Sequence, residues 1–212
     1  MTRIEHILAE LRRLYPDVRP QLDFTTPYQL LVATMLAAQS TDKQVNKVTP
    51  TLFAEYPDAF AMATLTPEEL LPYVRSCGFK SKATNIVNMS HILVEKYGGE
   101  VPRTREELVA LPGVGRKTAN VVLANAFGIP TMAVDTHVFR VSNRLGLAHA
   151  KDVLHTELQI MENVPEEDWI DAHHWMIFHG RQICHARKPD CEHCTLTPWC
   201  EYFHAAEQRE DQ

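Results

Sequence analysis

The spacing of apolar residues is the feature that most restricts how this chain can fold. These residues recur at intervals of three and four positions, while the two-residue alternation of a half-buried strand never persists. Helix start signals also recur, at Thr26-Pro27, at Thr66-Pro67 with Glu69, and at Thr104 with Glu107. The sequence therefore predicts an all-α protein.

Individual helices follow from these signals and from the glycines that can end them. A helix from Thr26 to Gln39 is predicted to be buried because it carries one apolar stripe, formed by Tyr28, Leu31, Val32, Met35 and Leu36. Gly78 is predicted to end the helix that begins at Thr66, as a left-handed C-terminal cap, and Gly128 to end a helix that begins near Arg116. Further helices are expected at 81–97, 136–145 and 167–183, and the polar tail from Glu207 onward is expected to be disordered.

The composition places the chain among globular proteins. Its 212 residues, 45% hydrophobic and 23% charged, suffice for one large domain or two small ones. The N-terminus lacks the long apolar core of an export signal, and no stretch approaches the roughly 20 apolar residues of a membrane span. A cytosolic protein without a membrane partner is expected.

The cysteines near the C-terminus predict a metal or cluster site. Cys184, Cys191, Cys194 and Cys200 are separated by six, two and five residues. Disulfides are the alternative, but they are rare in the reducing cytosol. Structural zinc sites usually have two short cysteine knuckles and this loop has one, so the spacing favours a [4Fe–4S] cube without excluding zinc. The upstream Cys77 is interpreted as a buried small apolar residue.

The segment LPGVGRKTAN at 111–120 predicts a tight hairpin between two helices. Two glycines flank one apolar residue, and Gly115 exposes backbone N–H groups where the next helix begins. Such N–H groups suit a phosphate, although a plain helix–helix turn is an equal alternative from these residues alone. A dinucleotide site is excluded because no strand precedes the segment and the third glycine is missing.

The charge distribution is compatible with nucleic acid only locally. The net charge of −6 is unlike that of most DNA-binding domains. Basic residues nevertheless cluster, although each cluster alone is typical of a solvated surface. The clusters are Arg75 with Lys80 and Lys82, Arg103 with Arg105, Arg116 with Lys117, Arg140 with Arg144, and Arg181 with Arg187 and Lys188.

Taken together, three segments resemble the helix-hairpin-helix DNA glycosylases. They are the hairpin at 111–120, AVDTHVFRV at 133–141 and the cysteine loop, and the resemblance extends through 26–50 and 173–191 to nearly the whole chain. It implies two helical lobes with a cleft between them. One lobe is 20–129 with the hairpin, and the other is 1–19 with 130–212 and a [4Fe–4S] cluster held by the four cysteines.

The resemblance also implies catalytic residues. In these enzymes a lysine amine attacks the sugar C1′ of a damaged nucleotide, expels the base and forms a Schiff base that undergoes β-elimination, and Lys117 is the matching lysine. Asp135 matches the family's aspartate, which stabilises charge in the transition state and assists proton transfer. From the residues alone, Lys117 is a phosphate-contacting lysine and Asp135 is either an N-cap or a catalytic carboxylate.

A further set of residues is implied to contact DNA. Gln39 matches the residue that fills the space of the extruded base. Relatives commonly read Gly-Leu-Tyr-x-x-Lys-Ala where this chain reads Gly78-Phe79-Lys80-Ser81-Lys82-Ala83, so the Leu-Tyr pair is absent and Phe79 is the candidate wedge. The predicted DNA contacts are Gln39, Phe79, Lys80, Gly113, Gly115, Arg116, Thr118, Arg140, Arg187 and Lys188.

The implied function is that of a bifunctional DNA glycosylase and AP lyase of base excision repair. Such an enzyme removes oxidised pyrimidines from duplex DNA and cleaves 3′ to the abasic site, here as a monomer at the bacterial nucleoid. Three alternatives are a monofunctional adenine-mismatch glycosylase, a non-catalytic hairpin DNA-binding module and a ferredoxin-like electron carrier. His173, His174 and His179 lack the spacing of paired metal ligands and are assigned surface or packing roles.

Overall fold

The computed structural model describes residues 1–210, and this part of the chain contains helices and loops but no strand. The α-helices are α1 (Arg3–Leu14), α2 (Pro27–Ala37), α3 (Asp42–Glu55), α4 (Ala59–Met62), α5 (Pro67–Val74), α6 (Ser81–Tyr97), α7 (Arg105–Val109), α8 (Arg116–Phe127), α9 (Thr136–Leu145), α10 (Val153–Asn163), α11 (Trp169–Gln182) and α12 (Glu201–Glu210). The predicted all-α class is confirmed.

Side-chain caps are present at the predicted helix starts. Thr26 accepts a hydrogen bond from the N–H of Gln29, and Pro27 occupies the first turn of α2. Thr66 and Glu69 form the reciprocal capping box expected for α5. A cap of this kind stabilises its helix by about 1 kcal/mol, so these positions fix where the helices begin. Gly128 ends α8, as predicted, and adopts the left-handed conformation.

Two predicted details are wrong. Helix α5 ends at Val74, a 3-10 turn follows, and Gly78 adopts φ 118° and ψ −132°, which is open to glycine but is not the left-handed helical cap. At α7, Thr104 does cap the helix, but the Glu107 carboxylate accepts from the Thr104 hydroxyl at 2.7 Å. A side-chain contact therefore replaces the expected return bond to the backbone.

Five helices, α1, α3, α4, α10 and α12, were not predicted, although the first four each begin after a residue whose side chain caps the helix. Thr2 and Glu5 form a capping box before α1, and the Asp152 carboxylate caps α10. The prediction of disorder from Glu207 is wrong as far as Glu210, because α12 continues to that residue and packs against α9. The last two residues of the prediction, 211–212, lie outside the described part of the chain.

The unit Pro20–Ile129 is organised around α2. Every residue from 28 to 36 is buried, so the helix is enclosed on all sides rather than along the one stripe that was expected. Helices α8, α3 and α6 pack against it. The buried hydroxyl groups of Tyr28 in α2 and Ser90 in α6 form a hydrogen bond with each other at 2.7 Å. Truncating a buried leucine such as Leu31 to alanine would cost about 2–5 kcal/mol.

The second unit combines Met1–Arg19 with the chain from Pro130 onward. Helix α9 packs against α10, α11 and α12, and α1 packs against α11. Trp175 of α11 and Ile7 and Leu11 of α1 are among its largest fully buried side chains. The N-terminal helix is thus part of the core that also carries the cysteine loop.

Within residues 1–210, none of the helices combines the length and the apolar character that crossing a bilayer requires.

Candidate active site and cysteine loop

Buried apolar residues hold the hairpin between α7 and α8 against the core. Leu111 and Val114 are buried, and the Val114 N–H donates to the Leu111 carbonyl at 3.2 Å. Gly113 has a φ of 73°, and a Cβ at this position would lie 2.8 Å from Asn85. Since both the backbone conformation and the space exclude a side chain, this glycine is required by geometry.

The second glycine of the hairpin leaves the start of α8 open. Gly115 is the N-cap residue and supplies no side-chain hydrogen bond to the first turn. Nothing lies within 4 Å of a Cβ built there, and Gly115, Arg116 and Lys117 are exposed. The leading N–H groups and the positive end of the helix dipole therefore face a space that an anionic oxygen can occupy. Lys117 is the second residue of α8, directly after this open helix start.

Three of the predicted DNA-contact residues meet at one pocket of the unit 20–129. Gln39 comes from the loop after α2, Phe79 from the loop before α6, and Gly113 from the hairpin. The pocket has a volume of about 210 Å³, and its other lining residues are Met35, Ala38, Ser81, Lys82 and Asn85. Segments far apart in the sequence thus present their candidate side chains in one place.

Gln39 and Phe79 both project from these loops. Gln39 lies two residues beyond the end of α2 with φ 59°, a conformation that few non-glycine residues adopt. The Phe79 side chain is 65% exposed, which is unusual for a large apolar residue. Strained backbone and exposed aromatic side chains tend to occur at ligand-binding sites, where contacts with the ligand offset their unfavourable free energy.

Asp135 begins α9 in the other unit. It is half-buried, and its Oδ1 accepts a hydrogen bond from the Val138 N–H at 2.8 Å. The preceding residues, 131–134, are buried, and His173 Nδ1 donates to the Ala133 carbonyl at 2.7 Å. The carboxylate is therefore fixed from both sides, by the helix that it caps and by the histidine that holds the segment leading to it.

The four cysteines of the loop line one cavity. Cys184, Cys191, Cys194 and Cys200 all face it, with apolar neighbours that include Leu145 and Ile183. Among the described residues, no three His, Cys, Asp or Glu side chains come close enough together to hold a single metal ion. Four thiols that line one cavity supply the donor set that a structural zinc ion or an iron–sulfur cluster takes.

The surroundings of the sulfur atoms also fit such a group. Arg144 Nη1 donates to Cys184 Sγ at 3.3 Å, and His179 Nε2 lies 3.6 Å from Cys194 Sγ. Burial raises the pKa of the Cys194 thiol to about 11 and also raises that of Cys200. Metal binding would therefore displace thiol protons, and nearby N–H donors would stabilise the resulting thiolates.

The predicted basic contacts differ in their surroundings. Lys80, Arg187 and Lys188 are exposed, and Thr118 is half-buried. Arg140 instead points inward, donating to the Cys184 carbonyl at 3.0 Å and the Gly180 carbonyl at 3.1 Å. Its guanidinium is engaged in joining α9 to α11 and the start of the cysteine loop.

The three histidines without a metal assignment have packing roles, as predicted. His173, His174 and His179 are all buried in α11. His173 and His174 form an edge-to-face pair with ring centroids 4.9 Å apart. His179 Nδ1 lies 3.0 Å from the Tyr15 hydroxyl, which links α11 to the N-terminal segment.

One residue of the pocket was missed from sequence. Lys82 was grouped with Arg75 and Lys80 as a solvated basic surface, yet it is buried. No sequence signal separates it from its exposed neighbours, because its partners are backbone carbonyls from two other segments.

Comparison with known proteins identifies the class to which this fold and site belong. The sequence matches the family described as "HhH-GPD superfamily base excision DNA repair protein" over residues 32–166. The chain belongs to this superfamily, and the predicted base excision repair function is confirmed at this level.

Endonuclease III proteins are among its relatives. The chain is 50% identical to endonuclease III of Haemophilus influenzae over 201 residues, which cover 94% of this chain and 95% of that protein. It is 48% identical to endonuclease III of Escherichia coli K12 over 197 residues, which cover 92% and 93%. The solved structure of a trapped endonuclease III–DNA covalent intermediate superposes with a TM-score of 0.91 at 44% identity, covering 98% of this chain and 99% of that one.

Proposed function

We propose that this protein is a bifunctional DNA glycosylase and AP lyase that removes oxidised pyrimidines from duplex DNA, with Lys117 as the nucleophile. The observation that carries the proposal is the exposed lysine in the first turn of α8, directly after a glycine hairpin whose N-terminal amides have no side-chain cap. This arrangement binds a phosphate and presents an amine to the adjoining sugar. We place the substrate on the bacterial chromosome, since relatives such as endonuclease III of Haemophilus influenzae are bacterial proteins.

DNA binding begins at the hairpin. The amides that follow Gly113 and Gly115 bind a phosphate of the damaged strand, and Arg116 and Thr118 add side-chain donors. Lys80, Arg187 and Lys188 contact further phosphates, since all three are exposed. Contacts of this type fix the register of the protein on the duplex without reading its sequence.

Base extrusion uses the pocket of the unit 20–129. The damaged nucleotide must leave the stack, because its C1′ is not open to attack inside the duplex. Phe79 inserts as an apolar wedge, and Gln39 fills the vacated space and faces the orphaned base. Unstacking costs a few kcal/mol per step, which an aromatic side chain offsets by replacing the lost contacts.

Chemistry then proceeds at the sugar. The free electron pair of Lys117 Nζ forms a bond to C1′ as the glycosidic bond breaks, and the base departs with that bond's electrons and a proton. Opening of the sugar ring gives a Schiff base between Nζ and C1′. Loss of a C2′ proton expels the 3′ phosphate, and water later releases the enzyme.

Asp135 supports both stages of this sequence. Its carboxylate stabilises the positive charge that develops on the sugar as the base departs. It also accepts and returns the protons that the lysine must lose and regain. Capping α9 holds the carboxylate in one orientation while it does so.

The four cysteines would hold a [4Fe–4S] cluster, and the single cavity that all four line supports this assignment. When bound, the cluster supplies iron–thiolate bonds that cross-link the loop. The chain's own contribution is to present Arg187 and Lys188 from the segment between the first two ligands. Lys188 has φ 51°, a conformation that few non-glycine residues adopt.

Borohydride trapping tests the proposal. Reduction during reaction with an abasic-site duplex should give a covalent adduct, with the sugar on Lys117 in peptide mapping. Lys117→Ala should lose the adduct and strand cleavage but still bind the duplex. Lys96→Ala, which removes an exposed lysine from α6, serves as the matched control and should retain both. An adduct on another lysine, or wild-type cleavage by Lys117→Ala, contradicts the assignment.

A further inference from the structure

Lys82 is a buried cation whose partners are carbonyl oxygens rather than a carboxylate. Lys82 is only 9% exposed, although it lies in the first turn of α6. The ammonium donates to the carbonyls of Leu36, at 2.7 Å, of Cys77, at 2.5 Å, and of Ala38. An ammonium group has three donors, and all three are used.

The three carbonyls belong to the ends of two other helical segments. Leu36 and Ala38 lie in the last turn and at the C-cap of α2, and Cys77 ends the 3-10 turn after α5. Carbonyls at helix C-termini lack partners in their own helix and carry partial negative charge. Burial lowers the pKa of Lys82, and these three oxygens supply the compensating interaction that a buried cation needs.

Gln39 and Phe79, two exposed residues of the pocket, follow these carbonyls closely in the sequence. Ala38 directly precedes Gln39, and Cys77 is followed by Gly78 and then by Phe79. A Cβ added at Gly78 would lie 3.5 Å from the Lys82 ammonium, so this loop passes close over the cation. One side chain thus fixes the base of both loops.

The start of α6 also meets the hairpin. Asn85, three residues after Lys82, is the residue that a Cβ on Gly113 would strike at 2.8 Å. The first two turns of α6 therefore contact the Gln39 loop, the Phe79 loop and the hairpin. Their relative positions within this unit depend on a single helix terminus.

We propose that Lys82 is a positioning residue that joins the Gln39 and Phe79 loops into one preformed element for extruding the damaged base. The proposal rests on the function proposed above and assigns Lys82 no contact with the reacting atoms. Because the element acts before chemistry, loss of Lys82 impairs base extrusion more than it impairs attack on a sugar that has no base to remove.

The test compares two reactions of the same protein. Lys82→Met keeps the length of the side chain and removes its donors. Single-turnover release of thymine glycol, an oxidised pyrimidine, should fall by about tenfold or more, since small misplacements of positioning groups have effects of this size. Cleavage of a duplex with a preformed abasic site should change little. Lys96→Met, in the last turn of the same helix, should leave both reactions unchanged.

Two further measurements separate positioning from general destabilisation. Hydrogen exchange in Lys82→Met should accelerate at 37–40 and 77–80 while the amides of α8 keep their protection. In a Phe79→Ala background, Lys82→Met should add little to the loss of base release, because the two changes disable the same element. Additive losses would mean that the lysine acts elsewhere.

Several outcomes would overturn the proposal. They are wild-type base release by Lys82→Met, an equal loss of both reactions, or failure of both Lys82→Met and Lys82→Gln to fold, which would make the lysine a general core element. If the wild-type protein itself neither released the base nor cleaved the abasic site, the proposed function would fail instead. The wild-type reactions therefore distinguish the two failures.

Discussion

The carboxylate of Asp135 accepts a hydrogen bond from the backbone N–H of Val138 at 2.8 Å, so the proposed catalytic group is also the N-terminal cap of α9. An asparagine can make the same capping bond without the negative charge. We therefore expect Asp135→Asn to retain its free energy of unfolding while base release slows by about a hundredfold or more. Urea denaturation and single-turnover kinetics would measure the two effects.

Asp135→Ala provides the control for the cap. Alanine removes the capping acceptor as well as the charge, so unfolding free energy should fall by about 1 kcal/mol relative to Asp135→Asn. Equal stability of the two variants, or normal base release by Asp135→Asn, would contradict the dual role.

The two hairpin glycines should respond differently to alanine. At Gly113, a Cβ meets Asn85 at 2.8 Å and φ is 73°, so Gly113→Ala should lower stability by about 1–3 kcal/mol. At Gly115 nothing lies within 4 Å, and Gly115→Ala should keep its stability but bind an abasic-site duplex more weakly, because the new methyl group enters the proposed phosphate site. Thermal unfolding and binding titrations would separate the two effects. Equal destabilisation by both would disprove the packing argument.

The cysteine loop should contain iron. Protein prepared anaerobically should be yellow-brown with about four irons per chain. Cys194→Ser should lose iron, stability and DNA affinity together, whereas Cys77→Ala, which alters the buried cysteine outside the loop, should retain the iron. Stoichiometric zinc without iron would refute the cluster assignment.

DNA affinity should fall steeply with salt despite the net charge of −6. Exposed basic side chains that neutralise phosphates release counterions, and the charge of the whole molecule does not set this term. Arg187→Gln and Lys188→Gln should each reduce the slope of log affinity against log salt by about 0.9. The equivalent change at Lys96 should not affect the slope. Binding that barely changes with salt would rule out the phosphate contacts.

Stability should decrease in mild acid because of a buried histidine. Burial lowers the pKa of His174 to about 3, with the neighbouring His173 adding to the effect. Below pH 6.5 the unfolded state therefore takes up a proton that the folded state does not bind, and stability falls by up to about 1.4 kcal/mol per pH unit. Carboxylates such as Glu10, whose pKa is lowered to about 2 by Arg13, contribute only below about pH 4.5.

Urea denaturation between pH 7 and pH 5 would measure this dependence. His174→Gln removes the titrating ring, so its stability should depend less on pH in this window even if the variant is less stable at pH 7. An unchanged slope would show that another group is responsible.

The sequence by itself determined the features that depend on neighbouring residues. Caps such as Thr26 and Thr66 fix helix starts through hydrogen bonds that span three positions, and the all-α class follows from them. The hairpin at Gly113 and Gly115 and the four clustered cysteines could also be identified from the sequence, because their residue types and spacing are distinctive.

Only the tertiary structure decided which side chains come together at one site. Lys82 has the sequence context of a surface lysine, but contacts with Leu36, Ala38 and Cys77 make it a buried link between two loops. Arg140, a predicted DNA contact, likewise donates to the carbonyls of Gly180 and Cys184, which the sequence did not indicate. Leu36 and Ala38 lie more than 40 residues from Lys82, and Gly180 and Cys184 lie at least 40 residues from Arg140. Local sequence patterns do not encode such distant contacts, because these arise only when whole helices pack.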